Sequence, residues 1–132
     1  MVHISISIDR PPETVYAFAA NPQNLPRWAA GLARSEVLRD GDAWVAEAPF
    51  GRVKIRFAPH NAFGVMDHEV ELANGEVVQN PMRVVANGSG SELIFTLLRQ
   101  PQMSDAQFAA DTQAVEEDLQ SLKHLLESES LR

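Results

Sequence analysis

The sequence predicts an α+β domain in which a seven-stranded antiparallel sheet wraps around a long C-terminal helix, with two short helices after the first strand. Three observations predict it. Strand-like segments separated by turn residues run from about Arg34 to Arg99. One amphipathic helix follows, from about Ser104 to Glu127, with apolar residues at Phe108, Val115, Leu119, Leu122 and Leu126, a spacing near 3.6 that demands one buried stripe. Proline-led helix starts sit between the first strand and the rest. A single helix laid across a wide sheet covers only part of it, and the remainder is a natural place for a ligand cavity.

The elements follow in order. Val2, Ile4, Ile6 and Ile8 alternate with His3, Ser5 and Ser7, a strand with one buried face. Pro11-Pro12-Glu13 ends it and opens a helix whose apolar side is Val15, Phe18 and Ala19. Asn21-Pro22 is a cap and first position for a second short helix reaching about Trp28. Six strand segments are then expected: Ala33 to Leu38, Ala43 to Ala48, Arg52 to Ala58, Gly64 to Leu72, Glu76 to Ala86 and Glu92 to Leu98. The separators Asp40-Gly41-Asp42, Pro49-Phe50-Gly51, Pro59-His60-Asn61-Ala62, Asn74-Gly75 and Asn87-Gly88-Ser89-Gly90 are turn chemistry, so the strands form a meander. Pro81 cannot donate to a ladder and predicts an interruption within its strand. Ser104-Asp105-Ala106-Gln107 has capping-box form.

Composition bounds the function. The 132 residues suit one domain, 1–132, with a core that needs no metal or disulfide staple. Cysteine is absent, which excludes disulfides and thiolate chemistry. A net charge of −7 repels phosphate backbones and anionic lipid surfaces, so neither nucleic acid nor a membrane is expected as partner. The N-terminus lacks the pattern of a signal peptide and no segment has the ~20 apolar residues of a membrane helix, so a soluble cytoplasmic protein is expected. His3, His60, His68 and His124 show no metal-ligand spacing. No phosphate loop, dinucleotide fingerprint or Ser-His-Asp arrangement is present, and no cofactor or metal is expected. Nothing specifies an oligomer; a homodimer is left open.

Local phrases add a resemblance. Ile4 to Ile8 through Pro12-Glu13-Thr14-Val15-Tyr16-Ala17-Phe18, Asn21 to Trp28, and Asp118 to Lys123 resemble the opening strand, the two helices and the closing helix of the SRPBCC helix-grip superfamily, which includes StAR-related lipid-transfer domains, pollen allergens and aromatic polyketide cyclases. Phe63 to His68 with Asn80 to Val85 resembles its bacterial polyketide cyclase/dehydrase-like branch. The resemblance covers essentially the whole chain and implies a helix-grip fold; its members bind very different ligands. Pro11 departs from the pattern, standing where a capping serine often precedes the helix proline.

Strand parity selects the inward residues. The charges in Arg52 to Phe57 leave Val53, Ile55 and Phe57 inward, and the acids Asp67, Glu69 and Glu71 leave Met66, His68, Val70 and Leu72 inward. With a turn centred on Asn61-Ala62, Ile55 opposes His68 and Phe57 opposes Met66. Glu47 turns Trp44, Ala46 and Ala48 inward, the alanines leaving unfilled volume, and Glu92 does the same for Leu93, Phe95 and Leu97. The expected cavity residues are Trp28, Trp44, Ala46, Ile55, Phe57, Met66, His68, Met82, Phe95, Arg99 and Phe108.

His68 is the one ionisable side chain on an apolar inward row. It is either a ligand contact or acid/base, or a core histidine satisfied by a neighbour. Asp67 cannot serve it, since adjacent strand residues face opposite ways. Arg83 and Arg99 could clamp a carboxylate or sit solvated at strand ends. Asn80 could reach a ligand or satisfy local backbone; the tryptophans could be stacking walls or core. The leading expectation is binding of a small, mostly apolar ligand. The alternatives are a cyclase or dehydratase using His68 as acid/base with Arg99 as partner, and a protein-interaction module.

Overall fold

The computed structural model describes residues 1–29, 33, 36–48 and 51–128. Strand β1 (Val2–Ile8) pairs antiparallel with β8 (Gly90–Leu97), from Val2 opposite Leu97 to Ile8 opposite Ser91, and β8 carries β7 (Met82–Asn87) on its other edge. A second sheet follows chain order: β2 (Leu38–Asp40), β3 (Ala43–Ala48), β4 (Gly51–Phe57), β5 (His68–Glu71) and β6 (Val77–Asn80). Helix α1 (Pro12–Ala19), a 3-10 turn (Pro22–Asn24) and the short α2 (Leu25–Trp28) connect β1 to this sheet, and α3 (Asp105–Glu127) closes the fold. The α+β helix-grip architecture is as expected; among the described residues the strands number eight in two sheets rather than seven in one.

The helix starts obey their sequence signals. Asn21 accepts from the Gln23 N–H, and Ser104 and Gln107 form the reciprocal capping box. Pro11 caps α1 without a side-chain hydrogen bond. Helix α3 is pinned at its C-terminal end: Lys123 Nζ donates to the Ser7 carbonyl at 2.6 Å, and Glu127 accepts from the Asp9 N–H at 2.7 Å. Leu119, Leu122 and Leu126 are buried there, among a continuous core with Ile8, Val15, Leu25, Ile55, Met82 and Leu93. The forward half of the stripe, Phe108 and Val115, is only half-buried. The helix therefore seals one end of the sheet and stands off from the other.

Two strand expectations need correction. In the segment Ala33 to Leu38, the described residues Ala33, Glu36 and Val37 are not in a strand. The Ala33 N–H bonds back to the Ala29 carbonyl at 2.9 Å, and among the described residues pairing starts only at Leu38. Arg34 and Ser35 lie outside the described residues.

The hairpin Gly64 to Ala86 is bent. Its register is one throughout, with Val65 opposite Arg83, His68 opposite Asn80 and Glu71 opposite Val77, yet its two ends belong to different sheets. The bend falls where Asp67 faces Pro81, which has no N–H to give. Beside it, the Met66 N–H donates to the Met82 carbonyl at 2.8 Å, but the return bond is rerouted. The Met82 N–H donates to Asp67 Oδ1 at 2.9 Å, and the Met66 carbonyl is bonded at 3.0 Å by Nδ1 of His68. Two side chains thus satisfy the backbone groups that the bend separates. Gly64, at φ +72°, is required on this hairpin: a Cβ there would stand 2.2 Å from the Val84 carbonyl oxygen.

The register of β4 against β5 is shifted by two from the expected one. Phe57 opposes His68 and Ile55 opposes Val70. The cause is Asn61, whose side chain donates to the Pro59 and Val65 carbonyls and accepts from the Phe63 and Val65 N–H groups. This moves the turn centre one residue toward Phe63. A shift of two preserves parity, so the inward rows stay inward.

Candidate functional site

A cavity of about 560 Å³ lies under the raised half of α3. The sheet wall is His68, Val70 and Leu72 from β5, Val78 and Asn80 from β6, and Phe95 and Leu97 from β8. Leu25, Trp28 and Ala29 close one end. The helix wall is Gln107, Asp111, Ala114, Val115 and Asp118, one stripe at spacings of three and four. Leu25, Trp28, Ala29, His68, Val70, Phe95 and Leu97 are buried and form the base; Glu76, Gln102, Gln107, Asp111 and Ala114 are exposed and mark the mouth.

His68 is only 5% exposed. Its ring stacks on Phe57 at 4.6 Å between centroids and meets the edge of Phe95 at 6.2 Å. Because a carbonyl only accepts, the contact with Met66 places the proton on Nδ1, leaving Nε2 as an acceptor in the neutral ring. Burial strips away the water that an imidazolium needs and lowers the pKa below 6.5, against weaker opposing effects of the Met66 bond and the Asp67 charge. The fold therefore holds a neutral imidazole of fixed tautomer whose Nε2 has no hydrogen-bond partner among the described residues. Trp28 Nε1 is a buried donor with no acceptor among them either. Asp67 faces away, bonded to Met82 and 3.5 Å from Arg83.

Of the residues expected at the cavity, the structure brings together Trp28, His68 and Phe95 there. The others line no part of it. Ala46, Ile55, Met66 and Met82 are at most 1% exposed and packed within the core. Phe57 supports His68 from the neighbouring strand. Trp44 lies under the Arg39 guanidinium, 5.5 Å from the ring centroid. Arg99 is not free to meet a ligand: it pairs with Asp105 at 2.7 Å, donates to the Met103 carbonyl and lies 5.6 Å from the centroid of Phe108, occupying both residues at the start of α3.

Sequence reasoning placed Val70, Leu72 and Leu97 on inward rows without assigning them to the cavity. It missed the mouth entirely. The signal was present: Gln107, Asp111 and Asp118, with the small Ala114 between them, form a stripe beside the apolar one on α3. Burial raises the pKa of the Asp111 carboxyl. Among the described residues, no lysine or arginine lines the cavity and no group of three His, Asp or Glu is gathered for a metal. No described helix is long and apolar enough to cross a membrane.

A sequence-family comparison decides the relationship that these elements suggest, matching residues 1–127 to the model described as polyketide cyclase/dehydrase and lipid transport. The chain belongs to that family. No curated protein matches it in sequence. Among solved structures it is similar to an uncharacterised protein from Bacillus thuringiensis, with a TM-score of 0.74 at 14% identity, over 96% of this chain and 98% of that one. The Aha1 dimer from Colwellia psychrerythraea gives 0.72 at 16% identity, over 96% and 97%. Ara h 8.0201 gives 0.68 at 14% identity, over 95% of each chain. At such identities the likeness shows the helix-grip fold alone. Family and fold are consistent with a domain that binds hydrophobic ligands.

Proposed function

We propose that this member of the family is a cytoplasmic binding protein for a small, mostly apolar molecule held between the sheet and α3, with His68 orienting it by accepting a hydrogen bond. The observation that carries this reading is a 560 Å³ cavity whose buried base is apolar except for one neutral imidazole and the Trp28 Nε1–H, neither the imidazole Nε2 nor that N–H having a hydrogen-bond partner among the described residues. That volume lies within the range of ligand sites, roughly 300–1,000 Å³. Burying roughly 300 Å² of ligand at about 25 cal/mol per Å² gives about 7.5 kcal/mol before ordering costs, the scale of micromolar binding. A fixed Nδ1–H makes Nε2 suited to a ligand hydroxyl or amine rather than a carbonyl.

Titration with Nile red, a neutral dye that brightens in apolar surroundings, tests the reading. The protein gives saturable binding, and Ala114→Trp on the helix wall or Val78→Trp on the sheet wall weakens it at least tenfold with unchanged circular dichroism. Native-like plugged variants that bind the dye as the parent does would overturn the assignment.

A further inference from the structure

The chemistry of the cavity restricts the charge of its occupant, an inference that rests on the ligand-binding reading above. Glu76 and Asp111 stand at the mouth. Gln102 Nε2 contacts Glu76 at 3.3 Å, a neutral amide that leaves the carboxylate charge uncompensated. Asp111 has no hydrogen-bond or ion-pair partner among the described residues. Arginines that might have offset them are engaged elsewhere: Arg99 with Asp105, Arg83 with Asp67, and Arg56 with Asp42, Glu69 and Glu71.

Independently of the mouth, the base offers His68 Nε2, an unpartnered acceptor on a side chain 95% removed from solvent (5% exposed) that lines the cavity. The His68 acceptor calls for a ligand group that donates, the Trp28 Nε1–H in the same base can meet an acceptor such as a hydroxyl oxygen, and the carboxylates at the mouth set the preferred charge. A ligand that donates a hydrogen bond and carries no negative charge fits best, since a carboxylate or phosphate entering here would lose its hydration with no lysine or arginine among the described lining residues to replace it.

We propose that the ligand is a hydrophobic amine, bound as a cation with its ammonium at the mouth between Asp111 and Glu76 and its apolar body over the buried base. An ammonium there gains a carboxylate in partly desolvated surroundings, where the attraction exceeds that in bulk water. A second donor on the body, such as a hydroxyl, would seat on Nε2.

Displacement of Nile red from the full chain by three twelve-carbon probes, at low salt and pH 7.5 and below their micelle concentrations, tests this. Dodecylammonium is expected to bind at least tenfold more tightly than dodecanoate, about 1.4 kcal/mol, with dodecanol between them. Asp111→Asn is expected to bring the ammonium within about threefold of the alcohol. Dodecanoate binding as well as the ammonium, or an order unchanged in Asp111→Asn, overturns the inference and leaves the cavity reading standing. Ammonium binding that survives Ala114→Trp also overturns it, since the acidic surface would then hold the probe. Failure of Nile red and of all three probes overturns the cavity reading and this inference together.

Discussion

Replacing His68 by phenylalanine separates what the imidazole does for the fold from what it does in the cavity. The buried ring has its pKa lowered by desolvation, so between the folded-state value and 6.5 the unfolded chain binds the extra proton. Stability then rises with pH in that window and is lost on acidification below about 6.5. One such group changes stability by at most about 1.4 kcal/mol per pH unit, and, with an unfolded pKa near 6.5, by at most about 1.4 kcal/mol between pH 7.5 and 5.5. His68→Phe keeps an aromatic ring against Phe57 and Phe95, gains apolar burial and deprives the Met66 carbonyl of its donor, a loss of about 1 kcal/mol. Its stability at pH 7.5 should therefore lie within about 2 kcal/mol of the parent. The assay is urea unfolding followed by the fluorescence of Trp28 and Trp44 at pH 7.5, 6.5 and 5.5. The parent should lose stability relative to His68→Phe as the pH falls, by up to the stated limit. Other titrating groups are common to both chains and cancel: Glu127, held low by Asp9 and Lys123, and Asp111, raised by burial. A parent-minus-variant difference that stays flat, or that favours the parent at pH 5.5, would refute the neutral buried imidazole.

Two further substitutions probe the surroundings of the cavity. Arg99→Ala removes a partly exposed ion pair and the guanidinium beside Phe108, and should cost about 0.5–1 kcal/mol in urea unfolding while leaving Nile red affinity unchanged; a large loss of dye affinity would return Arg99 to the binding site. Asp67→Ala strands the Met82 N–H beside Pro81 and should cost about 1–3 kcal/mol, with faster hydrogen exchange at Met82; unchanged exchange there would show that the carboxylate is dispensable to the bend.

Residues whose placement follows from period and capping were legible in the sequence. Ser104 and Gln107 fix the start of α3, and the acids in Asp67 to Glu71 fix the inward row containing His68. The turn at Asn61 was harder, because its centre is set by side-chain bonds to Pro59 and Val65 that composition does not reveal. Parity survived the resulting shift while pair partners did not. The cavity was misplaced for a different reason. Inwardness alone cannot tell a packed residue such as Ile55 from a lining one such as Val70. That depends on where α3 is pinned, which Lys123 and Glu127 decide through contacts with Ser7 and Asp9 more than a hundred residues away. The interruption at Pro81 was readable, but its consequence, passage of both arms from one sheet to the other, needed the geometry opposite it.

That bent hairpin also constrains how the chain can change. Its arms share one count of residues from the Val65–Arg83 bridge to the Glu71–Val77 pair. An unmatched single-residue insertion between the Asp67–Pro81 corner and the exposed Asn74-Gly75 turn would reverse the facing of the residues beyond it in that arm relative to the opposite strand. The tip looks tolerant of length variation, yet additions and deletions in these two arms must come in compensating pairs to keep the imidazole beneath α3.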